Sequence, residues 1–318
     1  MNQPRKIRWL IAHEPVDLFL RTAEAFSAKL SELTNGAFEV EIFTASDYKT
    51  KFSNYSGRTG PMTELEEGNI EMSQLHITEL AVWHNPDFYA LELPFLFRDH
   101  EHARRVLEGE IGQNLLSGLA SQSPAKGLAF TYSGGFRCVA SDTAINTLAD
   151  LKGAKFATAI NPVTIDTVEA LGAVPDVFNI KDFAVKVKEE GYDADALETT
   201  IPRYLAQFTG TNKKYLLNTK HSLFLTSIIV GNKFWSELDE STQDKFREAC
   251  LYASRLERKW SVDEAEEFAE KLDHSDIGVT YADLNEEETA KFKELVAPLY
   301  DKYRDFFYPG LVDGIIQS

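Results

Sequence analysis

Ile7, Trp9 and Ile11 recur at every second position, the spacing of a strand with one buried face, and His13-Glu14-Pro15 ends the run. From Asp17 to Thr34 the apolar residues Phe19, Ala23, Phe26, Leu30 and Leu33 recur at steps of four and three, which predicts an amphipathic helix closed by Asn35-Gly36. Phe38, Val40 and Ile42 then alternate with Glu39 and Glu41 as a second strand. Strand, helix and strand within about 40 residues form a βαβ unit and call for a parallel sheet. Ile70 to Met72 reads as a further short strand followed by Gln74 and His76.

The pattern restarts later. Leu128 to Tyr132 predicts a strand running into Ser133-Gly134-Gly135, a plausible crossover between domains. Ser141 to Gly153 is a polar connection in which Thr147-Leu148-Ala149-Asp150 resembles a helix-start box. Lys155 to Ala159 is a short strand, and Thr164 to Leu171 a helix stopped by Gly172. A second α/β unit thus follows the first. Ser222 to Val230 is an apolar strand belonging to neither run in sequence order. Ser241 to Leu272 predicts one uninterrupted helix with Phe246, Ala249, Ala253, Leu256 and Trp260 on one face. At 1.5 Å per residue it is roughly 45 Å long, enough to span two domains. Glu286 to Phe307 is helical in pattern, with Pro298 expected to kink or divide it.

The length of 318 residues suits two domains, and 43% hydrophobic with 26% charged residues is the composition of a folded globular chain. Fifty acidic against 33 basic side chains leave a net charge of -17, which argues against nucleic acid or anionic lipid as partners. Cys138 and Cys250 lie among apolar neighbours and read as two buried free thiols. No apolar run has the length of a membrane span, so direct membrane insertion is not expected. Met1 to Lys6 holds no apolar signal core, which leaves open a trimmed export signal or a cytoplasmic product.

Nucleotide-binding glycine fingerprints, a Gly-x-Ser-x-Gly elbow and zinc-ligand spacings are all missing, so no cofactor, metal or catalytic residue is expected. His100-Glu101-His102 reads as the start of a helix with both histidines solvated. Glu66-Glu67 before Gly68 reads as a solvated helix end. His13 and Glu14 follow the first strand, where open α/β sheets bind ligands; a structural histidine at a turn explains His13 equally well.

Three stretches carry a resemblance. Leu91-Glu92-Leu93-Pro94-Phe95-Leu96-Phe97-Arg98-Asp99 precedes Glu101-His102-Ala103 and Val106-Leu107-Glu108-Gly109; Gly135-Phe136-Arg137 precedes Leu151-Lys152-Gly153 and Asn161-Pro162-Val163; and Asp195-Ala196-Leu197-Glu198-Thr199-Thr200 comes last. In this order they resemble the periplasmic solute-binding proteins of TRAP transporters, the DctP type, from about Ile7 to the C-terminus. The resemblance implies an α/β, two-domain, type II-like periplasmic-binding-protein fold, with a ligand cleft between lobes and one long helix spanning both. Lobe I is expected at 1–134 plus 222–260, and lobe II at 135–221 plus 261–318. It further implies a periplasmic, monomeric, non-enzymatic receptor that closes on a small organic solute, a carboxylate or zwitterion, and delivers it to membrane permease subunits. A ligand-sensing or solute-holding protein without a transporter, and an enzyme on the same scaffold, are the competing classes.

One departure bears on the ligand. Where the family has an arginine that grips a carboxylate with two parallel N–H donors, this chain has Ala157, and the family's cleft asparagine matches Thr199. Arg137 keeps the other family position for a ligand-facing arginine, and Arg203 is a possible substitute guanidinium; an ion pair within the fold would explain either. Losing a buried bidentate anchor costs a carboxylate ligand about several kcal/mol unless something replaces it. The expected ligand-binding set is therefore His13, Glu14, Gln74, His76, Arg137, Ala157, Thr199, Arg203 and Phe224. Trp9 and Phe136 are aromatic candidates for the walls, each equally readable as core.

Overall fold

The alternating residues at the start form β1 (Arg5–Ile11), which pairs in parallel along its whole length with β2 (Phe38–Thr44). The helix between them, Val16–Thr34, buries Leu18, Phe19, Ala23, Phe26 and Leu30. It ends as its sequence requires: Asn35 takes a left-handed conformation and its N–H bonds back to the Glu32 carbonyl. The computed structural model describes residues 3–52, 60–178, 193–273 and 278–318.

Two sheets result. The first has the order β2-β1-β3-β10-β4, where β3 is Met72–His76, β4 is Ala125–Phe136 and β10 is Leu223–Gly231. The second has the order β11-β9-β5-β8-β6-β7. Its strands are β5 (Cys138–Ser141), β6 (Lys155–Ala159), β7 (Val174–Phe178), β8 (Ala196–Thr199), β9 (Tyr215–Asn218) and β11 (Thr280–Asp283). Both sheets are mixed: β10 runs antiparallel to β3, and β5 antiparallel to β8 and β9. The apolar strand 222–230 thus finds its place in the first sheet. Its nine residues are all buried, which accounts for apolar side chains on both of its faces.

Residues group into two compact units, Met1–Asn85 with Leu107–Tyr132 and Leu225–Ser261, and Pro86–Val106 with Ser133–Phe224 and Val262–Ser318. Residues 86–106, expected in the first lobe, pack with the second unit. There Phe95 packs edge-on against Phe292, and the Tyr300 hydroxyl donates to the Pro94 carbonyl at 2.8 Å. The core of the first unit gathers Ile7, Trp9, Phe26, Met72, Ile228 and Phe246. That of the second gathers Cys138, Ala157, Leu197, Tyr204 and Leu216. The helix Glu240–Asp273 is a single 34-residue element that carries the chain from the first unit into the second.

Several local expectations need correcting. The strand expected to stop at Tyr132 continues as β4 through Gly134 and Gly135 to Phe136. The strand expected at 70–72 is β3, so Gln74 and His76 lie within it rather than after it. Pro298 does not divide the last long helix, which is continuous over Glu286–Arg304. His102 is fully buried, not solvated: its ring meets the Ile315 carbonyl at 2.8 Å and the Arg98 N–H at 3.2 Å. Both cysteines are buried and free.

Candidate functional site

Each unit buries a cluster of polar side chains, and the two clusters differ in kind. In the first unit, β3, β4 and β10 bring Gln74, Thr131 and Thr226 together. The Gln74 amide donates to Thr131 Oγ1 at 2.6 Å and to Thr226 Oγ1 at 3.2 Å, and the two hydroxyls bond each other at 2.6 Å. All three residues are buried, and Gln74 Oε1 meets no hydrogen-bond donor among the described residues. Burying an acceptor unsatisfied costs about 1–3 kcal/mol, so this oxygen is chemically poised for an O–H or N–H group.

His76, two residues on, is buried and its ring lies 5.9 Å from that of His13. His13 in turn stacks on Phe19 at 5.4 Å. Glu14 is half-buried and accepts from the Val16 N–H at 3.1 Å, satisfying a free donor at the start of the first helix. Trp9 is wholly core, tilted against Phe26 at 5.2 Å.

In the second unit the buried polarity is ionic. Arg137 bonds Glu92 Oε1 through Nη2 at 2.6 Å and Glu198 Oε2 through Nη1 at 3.2 Å, and all three side chains are buried. Glu198 is also bonded by His221 Nε2 at 2.9 Å, whose other ring nitrogen meets Thr219 Oγ1 at 2.7 Å. Glu92 accepts a second bond from Asn161 Nδ2. Burial opposes ionisation of Glu198 more than any other influence, yet Arg137 and then His221 overcome it and hold the carboxyl below its ordinary value.

Phe224 joins this cluster to a second guanidinium. Arg137 stacks over its ring at 4.3 Å and Arg203 at 4.5 Å. Arg203 is buried and donates to Ser133 Oγ at 3.2 Å and Gln207 Oε1 at 3.3 Å. It sits on the short helix Ile201–Gln207, whose Pro202 occupies an N-terminal position where the missing N–H is not needed. Thr199 is buried at the end of β8, next to Glu198. Ala157 offers only a methyl group within the apolar core of its unit, among Leu197, Tyr204 and Leu216. Phe136 is half-buried with its ring 4.8 Å from His100.

The structure therefore joins Arg137, Arg203 and Phe224 in one unit and, in the other, His13 with His76, two residues beyond Gln74 on the same strand. Glu92, Asn161, His221, Thr131 and Thr226 were missed by sequence reasoning. Glu92 lies inside the Leu-Pro-Phe motif and was read only as part of it; the threonines look like ordinary strand residues. Among the described residues, no group of three or more histidine, cysteine or acidic side chains could hold a metal ion, and no helix is long and apolar enough to cross a membrane.

Comparison with known proteins agrees over nearly the whole chain. The profile of DctP, described as "Bacterial extracellular solute-binding protein, family 7", matches residues 12–305. The chain is 26% identical over 282 residues to the C4-dicarboxylate-binding periplasmic protein DctP of Rhodobacter capsulatus, covering 87% of this chain and 80% of that protein. It is 25% identical over 293 residues to the 2,3-diketo-L-gulonate-binding periplasmic protein YiaO of Escherichia coli, covering 92% and 84%. Among solved structures, the sugar acid binding protein of Advenella mimigardefordensis in complex with galactonate superposes with a TM-score of 0.84 at 22% identity, covering 99% of this chain and 97% of that one. A TRAP periplasmic solute binding protein of Shewanella oneidensis with bound succinate gives 0.83 at 18% identity, covering 99% of each.

Proposed function

The chain belongs to the DctP family of bacterial extracellular solute-binding proteins, receptors that bind solutes without transforming them, and we propose that its own solute is a small organic acid handed to TRAP permease subunits from the periplasm. The observation that carries the choice of an acid is the pair of buried guanidiniums, Arg137 and Arg203, on one phenyl ring in a chain whose net charge is -17. Two buried guanidiniums beside one phenyl ring present planar sets of parallel N–H donors, the geometry that matches a carboxylate. Two glutamates already meet Arg137, and the solute carboxylate is the further anion this reading adds beside them. Phe224 is the apolar surface beside it, and Thr199 a short polar neighbour.

Two features shape the acid. With Ala157 in place of the arginine common in the family, the carboxylate is held differently from the two-pronged grip of relatives. In the other unit Gln74 Oε1 favours a solute that carries a hydroxyl or ammonium donor, with His13, His76 and Glu14 as neighbouring polar groups. Galactonate and 2,3-diketo-L-gulonate, the solutes of two relatives, carry hydroxyls of this kind, which supports a hydroxylated acid. Receptors of this kind close on their solute, and a ligand selects the closed population in proportion to the contacts it adds there.

The test is thermal unfolding of protein denatured to release carried-over ligand and refolded, against succinate, galactonate, pantoate, sialic acid, amino acids, ectoines and polyamines. A ligand at 100 times its dissociation constant adds about 2.7 kcal/mol and moves the midpoint by several degrees. Stabilisation by hydroxylated acids is expected. Stabilisation by polyamines alone would reject the acid.

A further inference from the structure

Strand β4 lies at the edge of the first sheet, so among the described residues one side of its backbone has no strand to pair with. Two adjacent residues of the helix Glu240–Asp273 fill that place near the strand's exit. Glu257 accepts from the Tyr132 N–H at 2.7 Å, and Arg258 Nη1 reaches the Phe130 carbonyl at 3.5 Å. Residues 130 and 132 present their backbone groups to the same side of the strand, so the carboxylate and guanidinium replace the acceptor and donor of a missing neighbour. Arg258 is itself oriented by Glu108, which also receives Arg255 at 2.6 Å.

Position gives this pair its meaning. Tyr132 and Ser261 are the residues after which β4 and the long helix leave the first unit. Glu257, wholly buried, bonds the Tyr132 N–H and also meets Ser261 Oγ at 3.4 Å. Immediately beyond Tyr132 the chain passes through Gly134 and Gly135, with φ of 87° and 84°, conformations that L side chains rarely adopt. A Cβ on Gly134 would collide with Thr200 Oγ1, whose hydroxyl donates to the Ser133 carbonyl at 2.8 Å.

We infer that Glu257 is a positioning residue for solute binding. It clamps two of the chain's exits from the first unit, so that motion on closure is confined to the residues just beyond Tyr132 and Ser261. A freely bending strand end would widen the range of arrangements that a solute must order, and affinity would fall without any solute contact being touched. The inference rests on the receptor reading for its consequence, but the clamp itself is testable without a solute.

In the ligand-free full chain, Glu257→Ala should speed hydrogen exchange of the Tyr132 amide at least about tenfold while central amides of β1 stay protected. Glu257→Gln, which keeps an acceptor oxygen, should retain most of the protection. Glu257→Asp, too short to reach, should behave as Glu257→Ala and carries the test if the alanine variant does not fold. Spin labels at Glu24 and Asp305, one in each unit and both exposed, should give a broader distance distribution in the alanine and aspartate variants than in the parent or Glu257→Gln. A slow Tyr132 amide, or an unchanged distribution, in the shortened variants would overturn the clamp. Should the parent's distribution ignore succinate, galactonate and pantoate, closure on an acid fails, while the exchange result still decides the clamp.

Discussion

In the first unit the buried polar row is neutral: an amide and two threonine hydroxyls on adjacent strands. In the second it is ionic: one guanidinium between two carboxylates, with a histidine on one and an asparagine on the other. Neutral hydrogen bonds exchange nearly evenly with water, so each contributes about 1 kcal/mol and losing one is mild. Charges taken out of water carry a large penalty that only their partners offset, so removing one partner exposes the whole cost. The Gln74 row is therefore tolerant of change and the Arg137 cluster brittle.

Removing the guanidinium gives the sharpest test of that contrast. Arg137→Met leaves Glu92 and Glu198 buried together and should destabilise the protein by about 3–5 kcal/mol in urea unfolding. Replacing both carboxylates as well, in Arg137→Met with Glu92→Leu and Glu198→Leu, should recover much of that loss. If the triple variant is no more stable than the single one, the cost is not electrostatic and the contrast breaks.

Glu198→Gln should have the next largest effect, and it carries a pH signature. The folded carboxyl titrates below its ordinary value of 4.5, so the stability it adds is fully present above that pH and is lost as pH falls through the folded value. The gap between parent and Glu198→Gln, measured by unfolding from pH 7 to pH 3, should therefore shrink on the acid side. A gap that widens there would reverse the sign assigned to Glu198.

On the neutral side, Thr226→Val removes a hydroxyl shared by Gln74 and Thr131 and should cost only about 1–2 kcal/mol in the same assay. The smallest effect is on reactivity. Cys250 lies in the first unit and Cys138 in the second; burial raises both thiols above their ordinary value, and neither should react with a disulfide reagent in the native state. Their order of labelling in rising urea would show which unit opens first, and Cys138 should react earlier in Arg137→Met than in the parent.

Much of the fold was legible because it follows from near neighbours. Alternation at Ile7, Trp9 and Ile11, the helical spacing from Phe19 to Leu30, and the uninterrupted run from 241 to 272 all act within a few residues, and each element formed where its pattern lay. The errors came where a distant partner intervened. His102 has the local setting of an exposed helix start but is buried by a carbonyl more than 200 positions away. Residues 86–106 precede the crossover expected at Gly134-Gly135, yet side chains near the C-terminus draw them into the second unit.

The candidate site divides in the same way. Arg137, Arg203 and Phe224 could be nominated from sequence as separate candidates, but nothing local says that both guanidiniums share one ring. What the sequence by itself determined is the first βαβ unit, the long helix, the acidic balance and the family, because each is a property of residue identity or short-range spacing. Only the tertiary structure decided that Glu92, Glu198 and His221 surround Arg137, and that Glu257 meets Tyr132. A buried charge is settled by whichever partner the strand order brings within about 3 Å, and that order is set by packing over the whole chain.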